Sequence, residues 1–143
     1  MEKTQIPKRE KLLKIANSYD ELIAKIPLLM DESGEKNAFF EEKLGLSKPA
    51  ISNKKHGKRD WKPTEVQLLL ESLKKNTKPV EEYIDLLDNI DEFIKAKGKK
   101  KMFVFAQANI SIMQTNIRKH NKENGYSAWE TDEVRRVIEA LFD

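Results

Sequence analysis

Along this chain apolar residues recur at three- and four-residue intervals, the spacing of one face of a helix. Leu22, Ile23, Ile26, Leu29 and Met30 form one such stripe, and Ser18 followed by Glu21 predicts its start as a capping box. Leu86, Leu87, Ile90, Phe93 and Ile94 form a second, behind Pro79, Glu81 and Glu82, which suit a helix N-terminus. Gly34 and Gly98 mark the ends of the two. Val66, Leu69, Leu70 and Leu73, and again Val134, Val137, Ile138 and Leu141, follow the i, i+3, i+4, i+7 pattern, with Thr64 and Gln67 resembling another capping box. Between these elements Phe39, Phe40 and Leu44 lie at helical spacing, Gly45 interrupts, and Ser47 is placed to cap a helix running to about His56 before Gly57 ends it. The stretch from Lys8 to Asn17 is basic and amphipathic, with Leu12, Leu13 and Ile15 as apolar points. It reads as an extra helix closing the first bundle, or else as an arm.

The stripes belong to a repeat. With an offset of 64, Tyr19 to His56 matches Tyr83 to His120, with identities at Tyr19/Tyr83, Leu22/Leu86, Ile26/Ile90, Gly34/Gly98, Phe39/Phe103, Ser47/Ser111 and His56/His120. A four-residue insertion then moves the offset to 68, and Trp61 to Leu73 matches Trp129 to Leu141. The insertion falls among Lys, Asn, Gly and Ser, where a loop tolerates it. Matched Gly, Trp, Tyr and His positions are more than amphipathicity alone produces. The expected organisation is therefore two units, 1–75 and 76–143, joined around Lys74 to Pro79. At the turn the second unit carries Asn109 where the first has Gly45, and Asn is the next most permissive residue for positive φ.

Composition narrows the functions. The 143 residues include no cysteine and two histidines, which excludes a disulfide scaffold and Cys-ligated metal sites and argues against a multi-histidine centre. No metal or cofactor is expected. No apolar run approaches the roughly 20 residues of a membrane span, so a cytoplasmic protein without membrane contact is expected. Net charge is only +3, but Lys43 to Lys62 carries +6 and Lys95 to Lys122 carries +8, leaving −11 for the remainder. A localised positive field of that kind suits a polyphosphate partner, although solvated basic faces are also common. No Gly-rich phosphate loop, nucleophile elbow or paired-carboxylate motif is present, so no enzyme is expected.

The segment Glu42-Lys43-Leu44-Gly45-Leu46-Ser47-Lys48-Pro49-Ala50-Ile51-Ser52-Asn53-Lys54-Lys55-His56-Gly57-Lys58-Arg59 resembles the Cro/repressor-type, or xenobiotic-response-element-like, helix-turn-helix family. The resemblance covers about residues 19 to 73 and continues more weakly through 83 to 141. It implies an all-α fold of two tandem bundles of four to five helices each, lambda repressor-like, of a kind found in bacterial and phage transcriptional regulators. It also implies that the helix from Ser47 to His56 enters the major groove of double-stranded DNA. Lys48 is then placed to donate to guanine and Asn53 to pair with adenine, with Pro49 and Ser52 at the groove floor and Lys55, His56, Lys58 and Arg59 on phosphates. Where the family has a small residue four positions before the turn, this chain has Glu41 and, in the second unit, Phe105. Late in the recognition helix, where an aromatic or Leu is frequent, it has Lys54 and Arg118.

In the second unit the equivalent helix offers Ile112, Met113, Gln114, Asn116 and Ile117, with Arg118, Lys119 and Lys122 nearby and Lys99, Lys100 and Lys101 before the preceding helix. Its apolar groups suit thymine methyls, or else a packing surface for a protein partner or a second copy of the chain. His56 and His120 suit helix C-termini or phosphates better than catalysis, and Trp61 and Trp129 suit bundle closure. The expectation is a sequence-specific DNA-binding repressor whose two linked units gain from effective concentration. The alternative is a protein-interaction adaptor on the same scaffold, such as an antitoxin or a phage-encoded inhibitor.

Overall fold

The computed structural model describes residues 6–110 and 130–143, and there the chain is all-helical. The described elements are α1 (Arg9–Ser33), α2 (Asn37–Leu44), α3 (Lys48–Lys55), α4 (Pro63–Ser72), α5 (Lys78–Ala96), α6 (Lys101–Gln107) and α7 (Thr131–Leu141). None of them is long and apolar enough to cross a membrane.

The helix expected to begin at Ser18 begins nine residues earlier, at Arg9. Leu12 and Ala16 extend the stripe of Tyr19, Ile26 and Met30 toward the N-terminus, and all five are buried. Burial of that extension outweighs a local capping signal, so the Lys8–Asn17 stretch is the first part of α1 rather than a separate helix or an arm. Gly34 closes α1 in the left-handed conformation at φ 73°. The start of α4 also differs from the Thr64–Gln67 reading. Pro63 opens the helix, and the Glu65 side chain turns back to accept from the Lys62 N–H at 2.8 Å.

Burial follows the repeat closely. Tyr19 and Tyr83, Ile26 and Ile90, Phe40 and Val104, Leu44 and Ala108, Val66 and Val134, and Leu70 and Ile138 are all core residues at equivalent positions. They belong to one continuous cluster that draws on both units.

The way the units meet explains that single core. α1 packs against α5, its own counterpart, and against α7, the last helix of the other unit. Reciprocally, α5 packs against α4, the last helix of the first unit. Such an exchange, in which one surface meets another and the other meets the first, is the mark of a twofold relation. Its centre is visible in the aromatic rings: Tyr19 stacks on Tyr83, its repeat equivalent, with centroids 4.0 Å apart and planes 5° from parallel. α1 and α7 run antiparallel, since Arg9 pairs with Glu139 at one end and Asp20 meets Thr131 and Arg135 at the other. Arg135 also donates to Asn17 at 2.8 Å.

The Tyr19 hydroxyl is buried with no hydrogen-bond partner among the described residues. Burial raises the pKa of Tyr19 well above the usual tyrosine value, and burial raises that of Tyr83 as well. Both groups hold their protons more tightly when folded, so the unfolded chain ionises first and stability falls as pH rises past about 10. Tyr19→Phe keeps the stack and removes the unsatisfied hydroxyl. It is expected to stabilise the protein by about 1 kcal/mol at neutral pH and to flatten part of the alkaline loss. Thermal melts of both proteins from pH 7 to 11 check this, and a lower midpoint for the variant at neutral pH would contradict it.

Candidate functional site

The segment from α2 through α3 is built from a few local devices. At the end of α2, Leu44 is buried and Gly45 reverses the chain at φ 65°, its N–H donating to the Glu41 carbonyl at 2.9 Å. Ser47 then caps α3, its Oγ accepting from the Ala50 N–H at 3.3 Å. Pro49 lies in the first turn, where its missing N–H is no loss. The second unit repeats the reversal at Asn109, φ 61°, with the Ile110 N–H donating to the Phe105 carbonyl at 2.8 Å. Arg136 reaches across from α7 to donate to the Ala108 carbonyl at 2.9 Å.

An eight-residue helix has too few internal hydrogen bonds to persist alone, so α3 depends on what lies beneath it. Ile51 is fully buried, one turn after Ser47. Lys54 is buried as well, at 8 % exposure, and its ammonium pairs with the Glu65 carboxylate, also 8 % exposed. Lys54 Nζ also lies 5.9 Å from the Trp61 ring centroid, and Trp61 is in the core as expected. Lys54 is therefore an internal anchor to α4. Sequence reasoning missed Glu65, although its identity with Glu133 in the repeat was a signal. Glu133 is buried too and accepts from the Glu130 N–H at 3.1 Å.

The opposite face of α3 is open. Ser47, Lys48 and Pro49 are exposed, Ser52 and Asn53 are partly exposed, and His56, Lys58 and Arg59 are exposed just beyond the helix. The Asn53 carbonyl accepts from the Lys58 and Arg59 N–H groups, at 2.8 and 3.2 Å, which folds the following loop back along the helix end. His56 Nδ1 lies 2.8 Å from the Ser52 carbonyl, the contact of a ring nitrogen donating to a helix C-terminal carbonyl. Lys55 pairs with Asp31 at 2.5 Å, so its charge is partly neutralised within the molecule. Lys48, Lys58 and Arg59 make no ion pair among the described residues.

The lysines of the second unit are placed differently from the phosphate track expected of them. Lys99 turns inward, its ammonium donating to the Ala140 and Asp143 carbonyls at 3.1 and 2.5 Å and closing the C-terminal end of α7. Lys101 pairs with Asp91 at 3.1 Å. Lys100 is exposed and unpaired among the described residues. Orphan helix carbonyls and a nearby carboxylate compete for these ammonium groups, and a count of charges along the sequence does not register that competition. Ile112, Met113, Gln114, Asn116, Ile117, Arg118, Lys119, His120, Lys122 and Trp129 lie outside the described residues. Two large apolar side chains of α6 face solvent, Met102 at 63 % and Phe103 at 71 % exposure.

Among the described residues no three His, Cys, Asp or Glu side chains converge as metal ligands do. Chemically the α3 face offers cations, an amide and hydroxyls around a short rod. No protein family, curated protein or solved structure matches the chain in comparison.

The buried pair yields a stability test. Lys54→Met leaves the Glu65 carboxylate without its cation and is expected to destabilise the protein by about 3 kcal/mol. Adding Glu65→Gln neutralises the site while keeping an acceptor for the Lys62 N–H, and recovers most of the loss. Denaturant titration of the two variants reads both steps. Equal stability of the single and double variants would show that the pair is not coupled.

Proposed function

We propose that the chain binds double-stranded DNA in a sequence-specific manner through the exposed face of α3, as a transcriptional regulator. The observation that carries this reading is the disposition of side chains on one eight-residue helix. Its inner side is anchored by Ile51 and the Lys54–Glu65 pair, while Lys48, Ser52 and Asn53 stay outward and Lys58 and Arg59 follow at its end. The Asn53 amide makes no hydrogen bond among the described residues, which leaves both its donor and acceptor available for an adenine edge. Lys48 at the N-terminal end is suited to guanine, and the basic loop after α3 to phosphate.

Free charge rather than total charge sets the salt response. With Lys48, Lys58, Arg59 and a small number of further cations neutralising about three to five phosphates, affinity should fall roughly 50- to 500-fold between 50 and 200 mM salt. Fluorescence anisotropy with a random duplex measures this. A flat response would end the DNA-binding reading and favour a protein-interaction adaptor, which the exposed Met102 and Phe103 support.

The two kinds of contact separate by mutation. On sequences selected from a random duplex pool, Asn53→Ala should relax preference at one base position, costing about 1–3 kcal/mol on the best site. Lys58→Ala should weaken all sequences alike and lower the salt slope by about one. Unchanged binding by both variants would move the interface away from α3.

A further inference from the structure

A cleft of about 440 Å³ lies where the two units meet, between α1, the loop after α3 and the starts of α4 and α7. That volume falls within the roughly 300–1,000 Å³ typical of small-molecule sites. Its wall carries the stacked Tyr19 and Tyr83, then Trp61, Ile23, Pro27 and Pro63, a set of flat and apolar surfaces. Charged lining residues are balanced, with Lys54, Lys55 and Arg59 set against Asp20, Asp60 and Glu130. Three of the six are already engaged, by Glu65, Asp31 and Arg135 respectively for Lys54, Lys55 and Asp20. Recognition here is therefore governed by shape and apolar contact rather than by net charge.

Tyr19, one of the lining residues, carries a polar atom without a partner among the described residues. Tyr19 is 4 % exposed, and its hydroxyl is buried without a hydrogen bond among the described residues. Stacking on Tyr83 requires only the ring, which Phe would supply, so the hydroxyl is a cost to the fold that packing does not explain.

We propose that the cleft is a binding site for an uncharged, planar aromatic molecule carrying one hydrogen-bond acceptor, received by the Tyr19 hydroxyl as donor. The apolar walls hold the ring system, and a side-chain movement that uncovers the buried Tyr19 hydroxyl lets the acceptor meet it. The cleft includes none of Lys48, Ser52 and Asn53 but shares Arg59 with the proposed phosphate contacts, and it does not depend on DNA binding. Its occupant would nevertheless border Lys55 and Gly57, at the end of α3.

Two isosteric probes test it on the full chain at neutral pH: quinoline, whose ring nitrogen accepts a hydrogen bond, and naphthalene, which has no acceptor. Saturable binding of both is measured by ligand-observed NMR. Tyr19→Phe is expected to weaken quinoline about three- to tenfold, the worth of one neutral hydrogen bond, and to leave naphthalene unchanged. Ala24→Trp places a bulky ring in the cleft from an exposed position on α1 and should abolish both. Ala96→Trp, exposed at the end of α5 and away from the cleft, should change neither. Thermal melts establish that the variants are folded. Equal responses of the two probes to Tyr19→Phe would overturn the role of the hydroxyl. Binding that survives Ala24→Trp, or no saturable binding of quinoline at low-millimolar concentration, would overturn the site.

Discussion

The rest of the structure depends on reciprocal burial between the repeat units. A unit of about 65–75 residues has an unfavourable ratio of surface to volume and struggles to bury enough apolar area by itself. Here each unit's first helix is covered by the other unit's last: α1 by α7, and α5 by α4. The Tyr19–Tyr83 stack lies between equivalent helices, so a buried aromatic ring of each unit is covered by its counterpart. Orientation between the units is consequently a property of the shared core, and the short connection between α4 and α5 only has to close the gap.

The two faces of this exchange are chemically unequal. On the α1–α7 side Asp20, Asn17, Thr131 and Arg135 form a polar network, extended at the far end by Arg9 and Glu139. At the equivalent places on the α4–α5 side the chain has Ile84 for Asp20, Pro63 for Thr131 and Gln67 for Arg135. Charged partners penalise misplacement far more than apolar ones, because a lone buried or half-buried charge is costly. The α1–α7 side therefore carries the charged pairs that fix which helix lies against which.

Much of this was legible in the sequence, and the failures have a common cause. The reversals at Gly45 and Asn109, the Ser47 cap and the burial of Trp61 all follow from local chemistry, and the structure places them accordingly. The Ser18 and Thr64 helix starts failed because tertiary burial extended one helix and Pro63 with Glu65 began the other. Lys54, Lys99 and Lys101 were counted as surface charge, yet each is held by a group distant in sequence or at another helix's end. Periodicity reports which face a residue occupies. It carries no information on which acid or carbonyl waits across the gap, and for the same reason the covering of α1 by α7 was not visible.

That distinction bears directly on how α3 can work. Seven cations between Lys43 and Lys62 imply a broad positive field, but the structure withdraws Lys54 into the core and ties Lys55 to Asp31. What remains around the helix is bracketed: Lys48 at its start, Lys58 and Arg59 beyond its end, with Ser52 and Asn53 between them. In the proposed binding to DNA, a few charges at the two ends of a short rod would fix its position along the polyanion more than they add affinity, and that positioning would let an amide and hydroxyls between them discriminate. The buried Lys54–Glu65 pair bears on the same proposal, because it binds α3 to α4 and so sets the angle at which the exposed face of α3 is presented.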